Sequence, residues 1–260
     1  MDIDALECES NGYKEGRNPM FGEWSQTFDI KPVTNGNRKK KNEFYQLVRQ
    51  SLTNRFVYTH QVAVEITLFH DEQDRLETTL LGDLDNYAKT ICDAISGSEG
   101  VLIDDCQIHS LTVSWIDRHA KSPEFEISIK AGPDDFQPTP VNLYEMPDGL
   151  YYPLSDECWT REGTKPSSEG IKETTLLTWR NLTQGIIEIR EKCQNAGIDR
   201  VTAFQNTMGL KPQQWGFHRN RARDSGFSII TMDEWLNRIE QWLPTCTNDG
   251  MRKLVSNLLP

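Results

Sequence analysis

The sequence predicts an α+β fold: a β-α-β-α-β-β sheet covered by two helices, plus a mainly helical C-terminal domain. Three observations carry this. Val62 to Phe69 (VAVEITLF) is rich in the β-branched residues that suit a pleated strand. Leu84, Ala88, Ile91 and Ile95 recur at i, i+4, i+7 and i+11, one apolar stripe of a helix. Beyond residue 170 the periodicity is helical, and Thr231 and Glu234 are spaced as a capping box ahead of Trp235, Leu236, Ile239 and Leu243.

Taken in order, residues 1–22 are polar, acidic and aperiodic, and read as a flexible arm. Trp24 to Ile30 (WSQTFDI) alternates in polarity as a first strand does. PVTNGNRKKK supplies turn residues and a basic run. Phe44 to Phe56 carries Phe44, Leu47, Val48 and Leu52 at helical spacing, and His70 to Thr79 reads as a charged loop. After the helix from Leu84 to Ile95 come two strands, Ile108 to Ile116 (IHSLTVSWI) and Glu124 to Lys130 (EFEISIK), joined closely enough for a hairpin. AGPDDFQPTPVN, with three prolines and a glycine, marks a boundary. The first domain then spans residues 23–132. Residues 133–170 form a linker and irregular segment with Tyr144, Tyr151, Tyr152 and Trp159. The helical domain covers 171–260, its first helix burying Leu182, Ile186, Ile189 and Cys193 and stopping at Gly197.

Composition excludes several classes. With 39 acidic against 28 basic residues, net −11, the 260-residue chain has no uniformly basic coat, although a local basic face is compatible with that balance. Its six cysteines (Cys8, Cys92, Cys106, Cys158, Cys193, Cys246) include no C-x-x-C pair, so reduced thiols are expected rather than a disulfide framework or zinc site. The N-terminus lacks the pattern of a signal peptide. No apolar run approaches the roughly 20 residues of a membrane span. A soluble, cytoplasmic protein without a membrane partner is expected.

The chemistry concentrates in GDLDNYAKTICDAISGSEGVLIDDCQI. On a helix, Asp85, Lys89 and Asp93 stack at four-residue spacing, away from the apolar stripe. Asp83 lies at the helix start, and Asp104 and Asp105 precede the next strand, which can carry one of them back toward Asp83 and Asp85. Singly, each has a structural reading: a helix cap, a surface ion pair, a turn. Together they suggest a cation site, because converging carboxylates repel unless neutralised. Oxygen donors without His or Cys select Mg²⁺ or Mn²⁺. A lysine beside such a site can hold a phosphate.

The ordering is more specific than the composition. Asp83, Asp85, Asn86, Lys89, Asp93 and Ala94, followed by Asp104, Asp105, Gln107 and Ile108, resemble the signature of RusA-type Holliday junction resolvases, with similarity over about residues 24–132. The resemblance implies an endodeoxyribonuclease dependent on Mg²⁺, with Mn²⁺ able to substitute. It implies metal ligation by Asp83, Asp85 and Asp105, a catalytic Lys89, and supporting roles for Asn86, Asp93 and Asp104. It also implies a homodimer acting on branched DNA. Two departures concern the surround. Where relatives carry arginines before the first aspartate this chain has ETTLLG, and where they end the following strand in a basic residue it has Ser114 and Trp115.

Arg38, Lys39, Lys40 and Lys41 are candidate DNA contacts, with a solvated turn as the alternative. Val201 to Arg223 is similar to a helix-turn-helix, turning at Met208 to Leu210, with a second helix from near Pro212 presenting Gln213, Gln214, Arg219, Asn220, Arg221 and Arg223. The alternative is a helical bundle that packs on the nuclease or on a protein partner. None of the five histidines (His60, His70, His109, His119, His218) has metal-ligand spacing. Two other functions stay open. One is a RusA-like effector of a phage-defence or mobile-element system that acts on other DNA with a partner protein. The other is a catalytically silent module that binds DNA or protein.

Overall fold

The computed structural model describes residues 22–34, 38–52, 56–79, 81–119, 121–132, 135–156, 170–212 and 214–259. The N-terminal arm, Cys8, Cys158, Trp159, most of the segment leading to Gly170, and Gln213 lie outside them. The chain divides into two compact units, residues 1–139 with 224–226, and residues 140–223 with 227–260.

The first unit is built on a four-stranded sheet ordered β1-β5-β3-β4. Strand β1 (Glu23–Phe28) pairs antiparallel with β5 (Phe125–Lys130), which pairs antiparallel with β3 (Val62–His70). Strand β4 (Ile108–Asp117) runs parallel to β3 along its other side. The hairpin expected between the last two strands is therefore absent: β3 separates β4 from β5. Burial explains the order. Strand β5 buries Phe125, Ile127 and Ile129, whereas β4 is exposed over much of its length, as suits an edge.

Helix α1 (Arg38–Ser51) buries Phe44 and Val48. It begins inside the basic run expected to be a turn, and it ends before Phe56, which opens a short strand β2 (Phe56–Tyr58). Lys and Arg are good helix formers, so the run extends the helix backward. Leu47, expected on the buried face, is 51% exposed. The charged loop after β3 contains a short helix α2 (Glu72–Glu77) with no buried residue. Helix α3 (Leu84–Ala94) buries Ala88 and Ile91 as its stripe predicts, and also Tyr87, Thr90, Cys92 and Ala94. Packing is aromatic near α1, where Phe125 stacks on Phe28 (4.6 Å) and meets Phe44 (5.9 Å).

Arg49 of α1 closes the far end of α3. It donates from Nε to the Ala94 carbonyl (3.1 Å) and from a terminal nitrogen to the Ser96 carbonyl (2.8 Å), groups that a helix end leaves without intrahelical partners. Arg49→Met is expected to cost about 1–3 kcal/mol, because half-buried carbonyls lose a charged donor. Thermal unfolding followed by circular dichroism checks this through a fall in Tm of several degrees, ~4–10 °C.

The segment 133–170, expected to be a linker, supplies three strands. β6 (Phe136–Pro138) pairs with β2 in the first unit, while β7 (Val141–Glu145) and β8 (Leu150–Ser155) form a hairpin in the second. Three of the aromatic residues expected in an irregular segment are buried strand residues: Tyr144 and Tyr152 belong to the core of the second unit, and Tyr151 is buried beside them. A 25-residue helix α4 (Ile171–Asn195) follows, then α5 (Arg200–Thr207). Gly197 ends α4 with φ 80°, a left-handed conformation that suits glycine. The buried face of α4 is Leu176, Leu177, Trp179, Thr183 and Ile186. Leu182 and Ile189, expected inside, are 39% and 38% exposed, because the covered face runs through Trp179, Thr183 and Ile186 instead.

The helix-turn-helix does not form as expected. After α5 comes a 3₁₀ turn at Met208–Leu210, and no helix starts at Pro212. Instead Phe217–His218 is a two-residue strand β9 on β8, and the helix α6 is just Arg219–Asp224. Phe217 is buried at that pairing, and this holds the chain extended where a recognition helix would run. Strand β10 (Ser228–Ile230) joins β7 in parallel, giving the order β10-β7-β8-β9. Helix α7 (Met232–Trp242) starts with the predicted Thr231–Glu234 capping box and buries Trp235 and Ile239; α8 (Asp249–Leu258) buries Val255. No helix among the described residues is long and apolar enough to cross a membrane. Cys92, Cys106, Cys193 and Cys246 are free thiols.

Candidate active site

Helix α3 is the crossover that lets β3 and β4 run parallel, so it returns antiparallel to both. Its first half lies by the end of β3, where the Tyr87 ring is 5.5 Å from His70. Its last residues lie by the chain entering β4, where Val101 N–H donates to the Ile95 carbonyl (2.8 Å). Asp83, Asp85 and Asn86 fall at the first of these ends and Asp93, Asp104 and Asp105 at the second, with Lys89 between them.

At the first end, Asp83 holds the cap position of α3 in extended backbone but makes no side-chain capping hydrogen bond. Its carboxylate and that of Asp85 are exposed, so capping, the ordinary structural use for an aspartate here, does not account for Asp83. Asn86 is half-buried, and its backbone N–H donates to the Asp83 carbonyl (3.1 Å).

At the second end, Asp93 accepts from the Tyr45 hydroxyl (2.9 Å) and lies 3.6 Å from the Lys41 ammonium and 4.0 Å from that of Lys89. Asp93 thus fastens α3 to α1, and the basic turn opening α1 is brought alongside. Asp104 accepts from the Cys106 N–H (2.9 Å) and caps the short 3₁₀ turn Asp105–Gln107. Asp105 is exposed at the start of that turn. Burial of part of its carboxyl, then the charges of Asp104 and Asp93, hold it above the usual carboxylate range, and Lys89 opposes them. Beside it the Cys92 thiol is pushed up to about 12 by burial and then by Asp105 and Asp93, which leaves it inert.

The return of Asp105 to Asp83 and Asp85, expected from the sequence, is not what the topology produces. Asp105 interacts with Asp93, and Asp93 is eight residues from Asp85, about 12 Å along a helix axis. Among the described residues no three His, Cys, Asp or Glu side chains stand close enough to hold a metal ion. The donor chemistry nonetheless suits a hard cation. Mg²⁺ is commonly held by one or two carboxylates, with waters and substrate phosphates completing its shell, and Asp83 and Asp85 are two such carboxylates.

Two residues at this site carried no assignment from the sequence. Arg49 binds the α3 carbonyls, and Gln107 is buried beneath the Asp104–Asp105 turn. Position in the motif marked Gln107 without indicating a role, and nothing in periodicity marks Arg49. His109 is exposed at the start of β4, and His60 lies 3.4 Å from Asp135. Trp115, one of the departures from relatives, lies under the Arg75 guanidinium (5.3 Å). In the second unit, Arg219, Arg221 and Arg223 are exposed on α6 around the buried Ala222.

No curated protein matches this chain. Residues 18–130, the segment holding both ends of α3 and the whole aspartate and lysine pattern, match the family described as Endodeoxyribonuclease RusA.

Proposed function

We propose that the protein is a Mg²⁺-dependent endodeoxyribonuclease of the RusA type that hydrolyses phosphodiesters in branched DNA such as Holliday junctions. The observation that carries this is the family match over residues 18–130, with every acidic and lysine position of the motif occupied. The family resemblance assigns the cation to Asp83, Asp85 and Asp105; Asp83 and Asp85, side by side at the start of α3, would hold it, with Mn²⁺ able to substitute, and Asp105 would act from the Lys89 end of the same helix. Such an ion polarises the scissile phosphate and makes a bound water more acidic.

The protein's own groups do the rest. The exposed Lys89 ammonium, one turn along α3 from Asp85, offsets the negative charge that grows on the phosphate. Asp93, tied to Tyr45 and Lys41, keeps α3 seated on α1. The first turn of α1 adds Arg38, Lys39, Lys40 and Lys41 to the positive end of a helix dipole, a combination that attracts phosphate. The enzyme works as a homodimer, one site for each of two opposed strands. Cleavage of a synthetic four-way junction, a flap and a linear duplex, with and without Mg²⁺, tests the reading; no metal-dependent cleavage of any of them rejects it.

Arg219, Arg221 and Arg223 give the C-terminal unit a DNA-contacting role. Changing all three to Gln in the full chain is expected to reduce the slope of log affinity against log salt by up to about 3, roughly one per phosphate contact. An unchanged slope rejects DNA contact by α6. A second reading, an effector that cuts other DNA with a protein partner, is favoured by the exposed apolar residues Val201 and Phe204 on α5 and Met208 and Leu210 in the turn after it. Cleavage of linear duplex that appears on adding such a partner would select it.

A further inference from the structure

Gln107 is 0% exposed, yet both ends of its amide are fully engaged. Its Oε1 accepts from the backbone N–H groups of Ile103 (2.7 Å) and Asp104 (3.1 Å), while Nε2 donates to the carbonyls of Tyr58 (2.9 Å) and His60 (2.8 Å). One side chain therefore ties the segment entering β4 to the end of β2 and the turn that leads into β3. The same turn is braced locally, by Cys106 N–H on the Asp104 carboxylate (2.9 Å) and by Gln107 N–H on the Asp104 carbonyl (3.1 Å).

Simple closure does not explain this arrangement. Val101, Leu102 and Ile103 already pack the segment against the core, each at most 1% exposed, and apolar packing tolerates small shifts. A buried amide with two accepted and two donated bonds does not, because displacement leaves polar groups without partners in a low-dielectric interior. What it adds is a defined geometry for the backbone that presents Asp105.

We infer that Gln107 is a positioning residue for Asp105: its buried amide fixes the backbone from Ile103 to Asp105 so that the Asp105 carboxylate stands at the Asp93 and Lys89 end of α3. This rests on the reading that Asp105 takes part in cleavage. Displacement of a reacting group by about 1 Å lowers rates on the order of 100-fold, so the effect belongs in the chemical step rather than in DNA affinity.

The test compares Gln107→Met, close in volume but without donors or acceptors of comparable strength, with Val64→Ala, a core change in β3 of the same unit. Single-turnover cleavage of a four-way junction is measured well below both melting temperatures, alongside metal-free affinity for the same junction and native-state amide exchange. Gln107→Met is expected to slow cleavage about 10–100-fold with affinity within about twofold. Exchange at Ile103 and Asp104 should rise at least about tenfold while β3 amides keep their protection. Val64→Ala should lose melting temperature but less than about threefold in rate.

Equal rate losses in the two variants would reduce Gln107 to a structural role and overturn the inference, as would unchanged exchange at Ile103 and Asp104. If Gln107→Met does not fold, Gln107→Asn, one methylene shorter, carries the same expectation at about 3–10-fold. Wild-type protein that cuts no DNA sinks the nuclease reading and takes this inference with it. Wild-type protein that cuts, beside a Gln107→Met variant equally fast, sinks the inference alone.

Discussion

Protein carrying Asp85→Asn is expected to cut DNA at least ~1,000-fold more slowly than the parent at saturating Mg²⁺, a loss of about 4 kcal/mol of transition-state stabilisation. The substitution keeps the shape of the side chain and removes its charge. Asp85 is exposed in the first turn of α3, so the fold loses just its interaction with the helix dipole, about 0.3–1 kcal/mol. Activity and stability should thus separate: cleavage disappears while Tm falls by no more than a few degrees. Junction binding without metal should persist, since the change removes a negative charge from a surface that meets phosphates. Mg²⁺-dependent cleavage within about tenfold of the parent would remove Asp85 from the site.

Lys89→Met comes next in size, with an expected fall in cleavage of about 100–1,000-fold and almost no change in stability. The Lys89 ammonium is 4.0 Å from Asp93, and its side chain is 56% exposed. An ion pair of that length and exposure contributes a few tenths of a kcal/mol, at the low end for i,i+4 pairs. Asp93 also keeps its hydrogen bond from Tyr45 and its contact with Lys41, so α3 stays seated on α1. The structural reading of Lys89, half of a surface ion pair, predicts the opposite outcome: full activity. Single-turnover rates for Lys89→Met and Lys89→Arg discriminate, because Arg keeps the charge but not the compact ammonium, and partial recovery is expected. A Lys89→Met rate within about threefold of the parent would return the residue to its structural role.

The parts of the fold that local periodicity controls were legible. The α3 stripe appears as buried Ala88, Ile91 and Ile95, and the capping box at Thr231 closes the start of α7 as its spacing predicts. The errors share one cause. Leu182 and Ile189 have the spacing of a buried face, but which face of α4 is covered depends on partners elsewhere in the chain. The segment from Phe136 to Ser155 looks irregular because of its prolines, yet Pro138 lies in a strand and Pro153 faces Leu143 within a hairpin, tolerated once distant residues complete the pairing. The second helix of the expected helix-turn-helix gives way to a strand pairing with β8, another long-range contact.

The sequence by itself determined the candidate site, a set of carboxylates and one lysine at spacings that depend on helix geometry within α3 and on residue types alone. Tertiary structure decided where those groups stand. Because β3 and β4 are parallel, α3 runs back between them, so Asp83 and Asp85 sit at one of its ends while Asp93, Asp104 and Asp105 gather at the other. Strand order, parallel pairing and the four hydrogen bonds of Gln107 involve residues up to 49 positions apart in the chain. Local propensity is silent about such pairings, since a strand that pairs parallel and one that pairs antiparallel carry much the same residues.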